Sequence, residues 1–223
     1  MTANQYGLVV WNKWWSTPCF MVNCVRVTQI DVGKTESREW SDELKDEFTC
    51  TAKREWLTDI NKPNAKRGIG GNKLRTYATF KTECKWEAYL NIVHDKAKRR
   101  LLAKYRMGVA PLRIEQGRYE ANGLNDGSRG IQSSQRICQV CECGIEDEVH
   151  MLMKCSGYNV LRQKLMVKVR ETFNLNALQG NDSDQFKKIM ASDNNSIVNS
   201  VADFIWGAFK VRKQRLQEKR ILV

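Results

Sequence analysis

Histidine is almost missing from this chain, with two residues in 223 against eight cysteines. Proline is scarce as well, at three, which excludes long proline-stiffened linkers. No apolar run approaches the roughly 18 residues that mark a membrane-spanning helix. The amino-terminal stretch lacks a basic segment followed by an apolar one, and Trp11, Trp14 and Trp15 interrupt its apolar start, which argues against a secretory signal. The cysteines are therefore expected to be reduced, in the cytosol or the nucleus, where thiols hold metals more often than they form disulfides. There is no Asp-Asp pair. Polymerase chemistry on two metal ions needs clustered carboxylates, so that chemistry is not expected here.

What the chain does have is positive charge. Thirty-seven Lys and Arg stand against 25 Asp and Glu, a net charge of +12, and a balance that basic points to a polyanion such as RNA or DNA. The basic residues cluster, in Lys96-Ala-Lys98-Arg99-Arg100 and in Lys210-Val-Arg212-Lys213-Gln-Arg215, while the acidic ones gather at 36–47 and 146–148. Lys98, Arg99, Arg100, Arg106, Arg113 and Arg118 are expected to form one positive face, with Arg212, Lys213 and Arg215 extending it or hanging free. The competing expectation is that Arg99 or Arg118 is buried against Glu87 or Glu115 as a structural ion pair.

The scarce histidine falls at an informative place. Cys138-x2-Cys141-x8-His150-x4-Cys155 offers four zinc ligands, and a Cys-x2-Cys turn presents two thiolates to one ion. Cys143 could replace Cys141, but Cys138 and Cys141 are the better-spaced pair, so Cys143 is expected to point away. His150 and Cys155 lie about one and a half helical turns apart, so a shared face or a helix end must bring them together. The other readings of the pair are buried thiols that pack as small hydrophobes and a redox couple, the latter needing a βαβ context that is not found.

The patterning is helical from residue 37 onward, and about five or six helices are expected. Ser41 precedes an acidic first turn, and Leu44, Phe48, Ala52, Trp56 and Ile60 follow at i, i+4 spacing. A second long segment runs over 73–93, with Leu74, Tyr77, Phe80, Cys84 and Tyr89 or Leu90 as core positions. A third covers 96–107 and stops at Gly108. Helices are also expected through Tyr158, Leu161, Leu165 and Val169, around 186–190, and over 196–219. Residues 121–135 read as a polar loop. The fold class is thus mainly α, a bundle-like domain over 37–175 carrying a zinc knuckle at 138–155. Residues 1–36 are expected to be irregular or a small β-hairpin, and 176–223 a linker with a basic helix.

An ordered string of motifs carries a resemblance. It runs from Lys73-Leu-Arg-Thr-Tyr-Ala-Thr-Phe-Lys81 through Tyr89-Leu90, Arg99-Arg100-Leu101-Leu102-Ala103-Lys104-Tyr105-Arg106 and Leu112-Arg-Ile-Glu115-Gln-Gly117-Arg118-Tyr119. It continues with Arg136-Ile-Cys138-Gln-Val-Cys141, Glu146-Asp-Glu148-Val-His150 and Lys154-Cys155-Ser-Gly-Tyr158-Asn-Val-Leu161-Arg162. The string resembles the region after the polymerase thumb in reverse-transcriptase polyproteins of animal non-long-terminal-repeat (LINE-like) retrotransposons, which ends in a Cys-Cys-His-Cys knuckle. The likeness covers about 70–165. It implies a helical segment that holds template RNA or target DNA, Zn²⁺ in the knuckle, and an upstream polymerase domain in an intact element. It implies no catalysis in this stretch, and no endonuclease motif follows the knuckle. Retroviral knuckles set the second Cys and the His closer than the eight intervening residues here, so their base stacking is not carried over.

Two functions of different class follow, a nucleic-acid-binding zinc module from a retroelement and a zinc-stabilised protein-interaction module. An enzyme built on His94 and Asp95 is the weakest reading, since a surface histidine beside a basic run is the ordinary explanation.

Overall fold

The computed structural model describes residues 42–61, 74–120, 130–173 and 179–221. The expected amino-terminal hairpin lies outside these residues. By its contacts the chain divides into units 1–56 and 57–223. Among the described residues the structure is mainly helical, as the patterning predicts, with one isolated antiparallel bridge between Ile137 and Ile145.

Helix α1 (Asp42–Ile60) occupies the span that the i, i+4 apolar spacing marks. Within the larger unit follow α2 (Tyr89–Ile92), α3 (Lys96–Met107), α4 (Arg113–Gln116), α5 (Asn159–Thr172), α6 (Asp182–Ala191) and α7 (Asn195–Ile221), with single 3₁₀ or π turns between. Helix α3 shows why its ends are legible. The Asp95 carboxylate accepts from the amides of Ala97 and Lys98 at 2.8 and 3.0 Å, satisfying two donors that a helix start leaves unpaired. Gly108 stops the helix with φ 76, a left-handed turn that favours glycine.

The core forms around α7. Ile197, Val201, Phe204, Ile205 and Ala208 are buried, and the helix packs along α5 and α3. Phe204 meets Tyr158 edge to face, and Phe186 of α6 meets Phe80 in the same way. Full burial of each such ring stabilises by about 1.5–3 kcal/mol. The basic C-terminal helix, expected to follow a linker from 176, is a central packing element of the 57–223 unit.

The second long segment is also corrected. Residues 74–92 form a 3₁₀ turn (Tyr77–Thr79) and the short α2. Thr76, Thr79 and Thr82 are β-branched and favour helices weakly. The stretch is organised by a buried charge instead. Glu87 accepts from the Tyr77 hydroxyl at 2.7 Å and pairs with Lys81 and with Arg106, each at 2.7 Å. Tyr77, Phe80 and Tyr89 are core residues as expected, while Leu74 and Cys84 are half-buried.

Candidate metal centre

Two short structures bring the four donors together. The first is a miniature hairpin: the Glu146 amide donates to Arg136 O at 2.9 Å and the Cys138 amide to Gly144 O at 2.7 Å. Its turn carries Cys141 and Glu142, and Glu142 takes φ 60, so the chain reverses tightly around the first two thiols. Backbone amides then face sulfur. Those of Val140 and Cys141 donate to Cys138, that of Cys143 to Cys141, and that of Gly157 to Cys155. Amides aimed at sulfur favour thiolates, the form that ligates metal.

The second is a π turn over His150–Lys154, closed by the Cys155 amide donating to His150 O at 2.8 Å. On an α-helix, residues five apart point about 140° away from each other. The wider i→i+5 turn swings Cys155 back toward His150. The Asp147 carboxylate starts this turn, accepting from the His150 amide at 2.7 Å. Gly157 follows where the chains press together, since a Cβ there would lie 2.4 Å from Val140 Cγ1.

The ligand atoms of Cys138, Cys141, His150 and Cys155 all lie within 4.8 Å of one another. Cys138 Sγ is 3.8 Å from Cys155 Sγ, and Cys141 Sγ is 3.2 Å from His150 Nε2. A tetrahedron with metal–sulfur bonds of about 2.3 Å has sulfur–sulfur edges of about 3.8 Å. The four are close enough to hold a metal ion. Cys143 is exposed and donates to Cys141 O at 2.9 Å, outside the cluster. Electrostatics within the cluster are lopsided. The hydrogen bond shared by the Cys138 and Cys155 sulfurs holds Cys138 below the ordinary thiol range and drives Cys155 up, with burial adding to the rise. A bound cation would relieve both.

The support around the donors uses charges assigned elsewhere by the sequence reading. Glu146 is wholly buried, with one oxygen 3.9 Å from Cys138 Sγ. It accepts from Arg212 Nε and Nη2 at 2.8 and 2.9 Å and from the Arg113 amide at 2.7 Å. Arg212 thus ties α7 to the hairpin, and Lys219 adds bonds to Gln139 O, at 2.7 Å, and to Glu142. Arg162 holds the π turn from the other side, donating to Leu152 O at 2.7 Å and Cys155 O at 2.6 Å. Glu148 is buried against Arg75 and Thr76, at 3.0 and 2.9 Å. No local signal marks these partners, because Glu146, Asp147 and Glu148 stand side by side in the sequence and only the fold turns Glu146 and Glu148 inward.

The expected positive face is corrected at three positions. Arg106 is buried against Glu87, donates to Met190 O at 2.5 Å and lies over the Phe80 and Tyr89 rings. Arg118 is buried against Glu115 at 2.9 Å, and Arg212 against Glu146. A guanidinium whose donors are directed inward is not offered to phosphate. Arg99 is half-buried and bonds Val93 O at 3.0 Å, leaving Glu87 to Arg106 and Lys81. Lys98 pairs with Asp203 at 2.6 Å, Arg113 with Glu120, and Arg215 with Glu218 at 3.6 Å. Arg100 and Lys213 are exposed.

Fold and site together define a mainly helical protein with a cluster of three cysteines and one histidine that could hold a metal ion. Comparison with protein-family models, curated proteins and solved structures returns no match.

Proposed function

We propose that the chain is a zinc-stabilised module that binds nucleic acid and carries no catalytic centre of its own. The convergence of Cys138, Cys141, His150 and Cys155 supports this reading most. Three sulfurs and an imidazole suit Zn²⁺ over harder ions. Four protein donors leave no open position for water or substrate, which is the pattern of a structural site. The net charge of +12 favours a polyanionic partner, and the motif order over 70–165, which resembles the post-polymerase region of LINE-like retroelements, supports the same reading.

The inward pairing of Arg106, Arg118 and Arg212 favours a second reading, a zinc-stabilised module for protein interaction. Metal content and salt dependence separate them. Purified protein should carry one zinc per chain, and RNA or DNA binding should weaken steeply from low to physiological salt. Zinc without salt-sensitive binding would leave the protein-interaction reading standing. Absence of zinc from protein prepared without chelator would remove both.

A further inference from the structure

The exposed face of α3 carries a row of cations that the sequence reading named only in part. Lys96, Arg100 and Lys104 follow each other at i, i+4 and all three are exposed. Successive members of such a row stand about 6 Å apart along a helix. The rest of the helix's positive charge is engaged: Lys98 with Asp203, Arg99 with Val93 O, Arg106 with Glu87. Among the described residues, no carboxylate lies within ion-pair distance of Lys96, Arg100 or Lys104. Helix α3 itself contains no acidic residue, and Asp95 before it is occupied by the amides of Ala97 and Lys98.

We infer that Lys96, Arg100 and Lys104 form a ladder that holds the phosphodiester backbone of one nucleic-acid strand. The inference rests on the nucleic-acid reading and gives it a surface. Buried Leu102 and Tyr105 lock the opposite face of α3 into the core, and both helix ends are capped, so the three cations share a fixed scaffold. A regular line of cations with nothing between them matches a ligand that repeats one charge along a line. An acidic protein fits the same face less well. Protein interfaces bury an apolar centre, and none of the exposed large apolar residues of the described chain lies on α3.

The test measures binding of the full chain to labelled oligouridylate and oligothymidylate over a range of salt. The K96A/R100A/K104A variant should bind both at least about tenfold more weakly. Its salt slope should be smaller by about two, since each phosphate contact on a single strand contributes about 0.7. The K164A/K168A/R170A variant removes the same charge from exposed positions on α5 and should stay within about twofold of the parent. Melting temperatures should match the parent. If the alanine variant melts early, K96Q/R100Q/K104Q replaces it, keeping long helix-compatible side chains. Parental binding by the α3 variant would overturn the ladder while leaving the nucleic-acid reading intact. Equal losses in both triple variants would reduce the ladder to net charge and also overturn it. Displacement of the oligonucleotides by polyglutamate at matched charge would assign the face to acidic proteins. A parent that binds neither oligonucleotide at low salt removes the nucleic-acid reading, and the ladder with it.

Discussion

Around Glu87 the chain supplies its own counter-charges, with Lys81 and Arg106 both at 2.7 Å. In the knuckle, Cys138, Cys141, His150 and Cys155 lean on one another and on backbone amides. Both clusters are largely buried, but only in the first is the charged group, the Glu87 carboxylate, paired wholly with protein cations and a hydroxyl. A carboxylate between two cations needs nothing from solution. Converging thiols must share protons, or take up a cation that replaces them. The knuckle's order should therefore depend on solution composition, and the Glu87 cluster's should not.

Metal removal puts the largest strain on this contrast. Metal-binding energy in small zinc sites is folding energy, on the order of 10 kcal/mol. A chelator should therefore lower the melting temperature sharply and raise amide exchange first over 137–158. An unchanged melt under chelation would break the comparison, because the knuckle would then be as self-sufficient as the Glu87 cluster. Next in size is Arg106→Ala. Leaving Glu87 with one cation fewer in the interior should cost about 3–5 kcal/mol. The loss should appear equally with and without chelator, while zinc content stays at the parental level.

Acid titration sharpens the contrast further. Burial pushes the Glu87 carboxyl up, but Arg106, Lys81 and Tyr77 together outweigh it and hold it below the ordinary 4.5. A carboxylate with a lowered folded pKa stabilises above its unfolded pKa and ceases to do so as pH falls through the folded one. The stability gap between the parent and Glu87→Gln should thus be full near neutrality and close below pH 4.5. Glu148 works in the opposite direction, since burial holds it above the ordinary value and Arg75 only partly compensates. Comparing the variant with the parent isolates Glu87 from it. A gap that stays constant down to acid denaturation would show that Glu87 is not the titrating group.

The smallest effect belongs to Tyr158. Its hydroxyl is buried with no hydrogen-bond partner among the described residues, and burial pushes its pKa up. Removing an unpartnered polar group should be neutral or stabilise by at most about 1 kcal/mol. Tyr158→Phe should accordingly melt at or slightly above the parental temperature. A clear loss would reveal that the hydroxyl has a partner near the knuckle.

Elements bounded by local chemistry were legible in the sequence. Asp95 and Gly108 fix α3 through short-range hydrogen bonds and one φ angle, and the apolar stripe of α7 repeats with a helical period. The convergence of Cys138, Cys141, His150 and Cys155 was legible for the same reason, since residue type and spacing are local. What the sequence hid was non-local. Whether Arg106 or Arg212 meets solvent or a carboxylate depends on Glu87 and Glu146, 19 and 66 positions away, whereas the pairing of Arg118 with Glu115, three positions apart, was among the expectations. The 74–92 segment misleads likewise, because its polar residues are organised by Arg106 from another helix.

The π turn also sets a rule of length. Residues 151–154 hold one residue more than an α turn needs between its ends. Trimming one would leave two donors on a common helical edge, so the ligand pair itself could survive the loss. The segment beyond could not follow so easily. The chain leaves the turn in an extended conformation at Cys155, with ψ 121, and must still deliver α5 so that Leu165 and Val169 are buried. The length of the turn is therefore set as much by where α5 must begin as by the donors the turn carries.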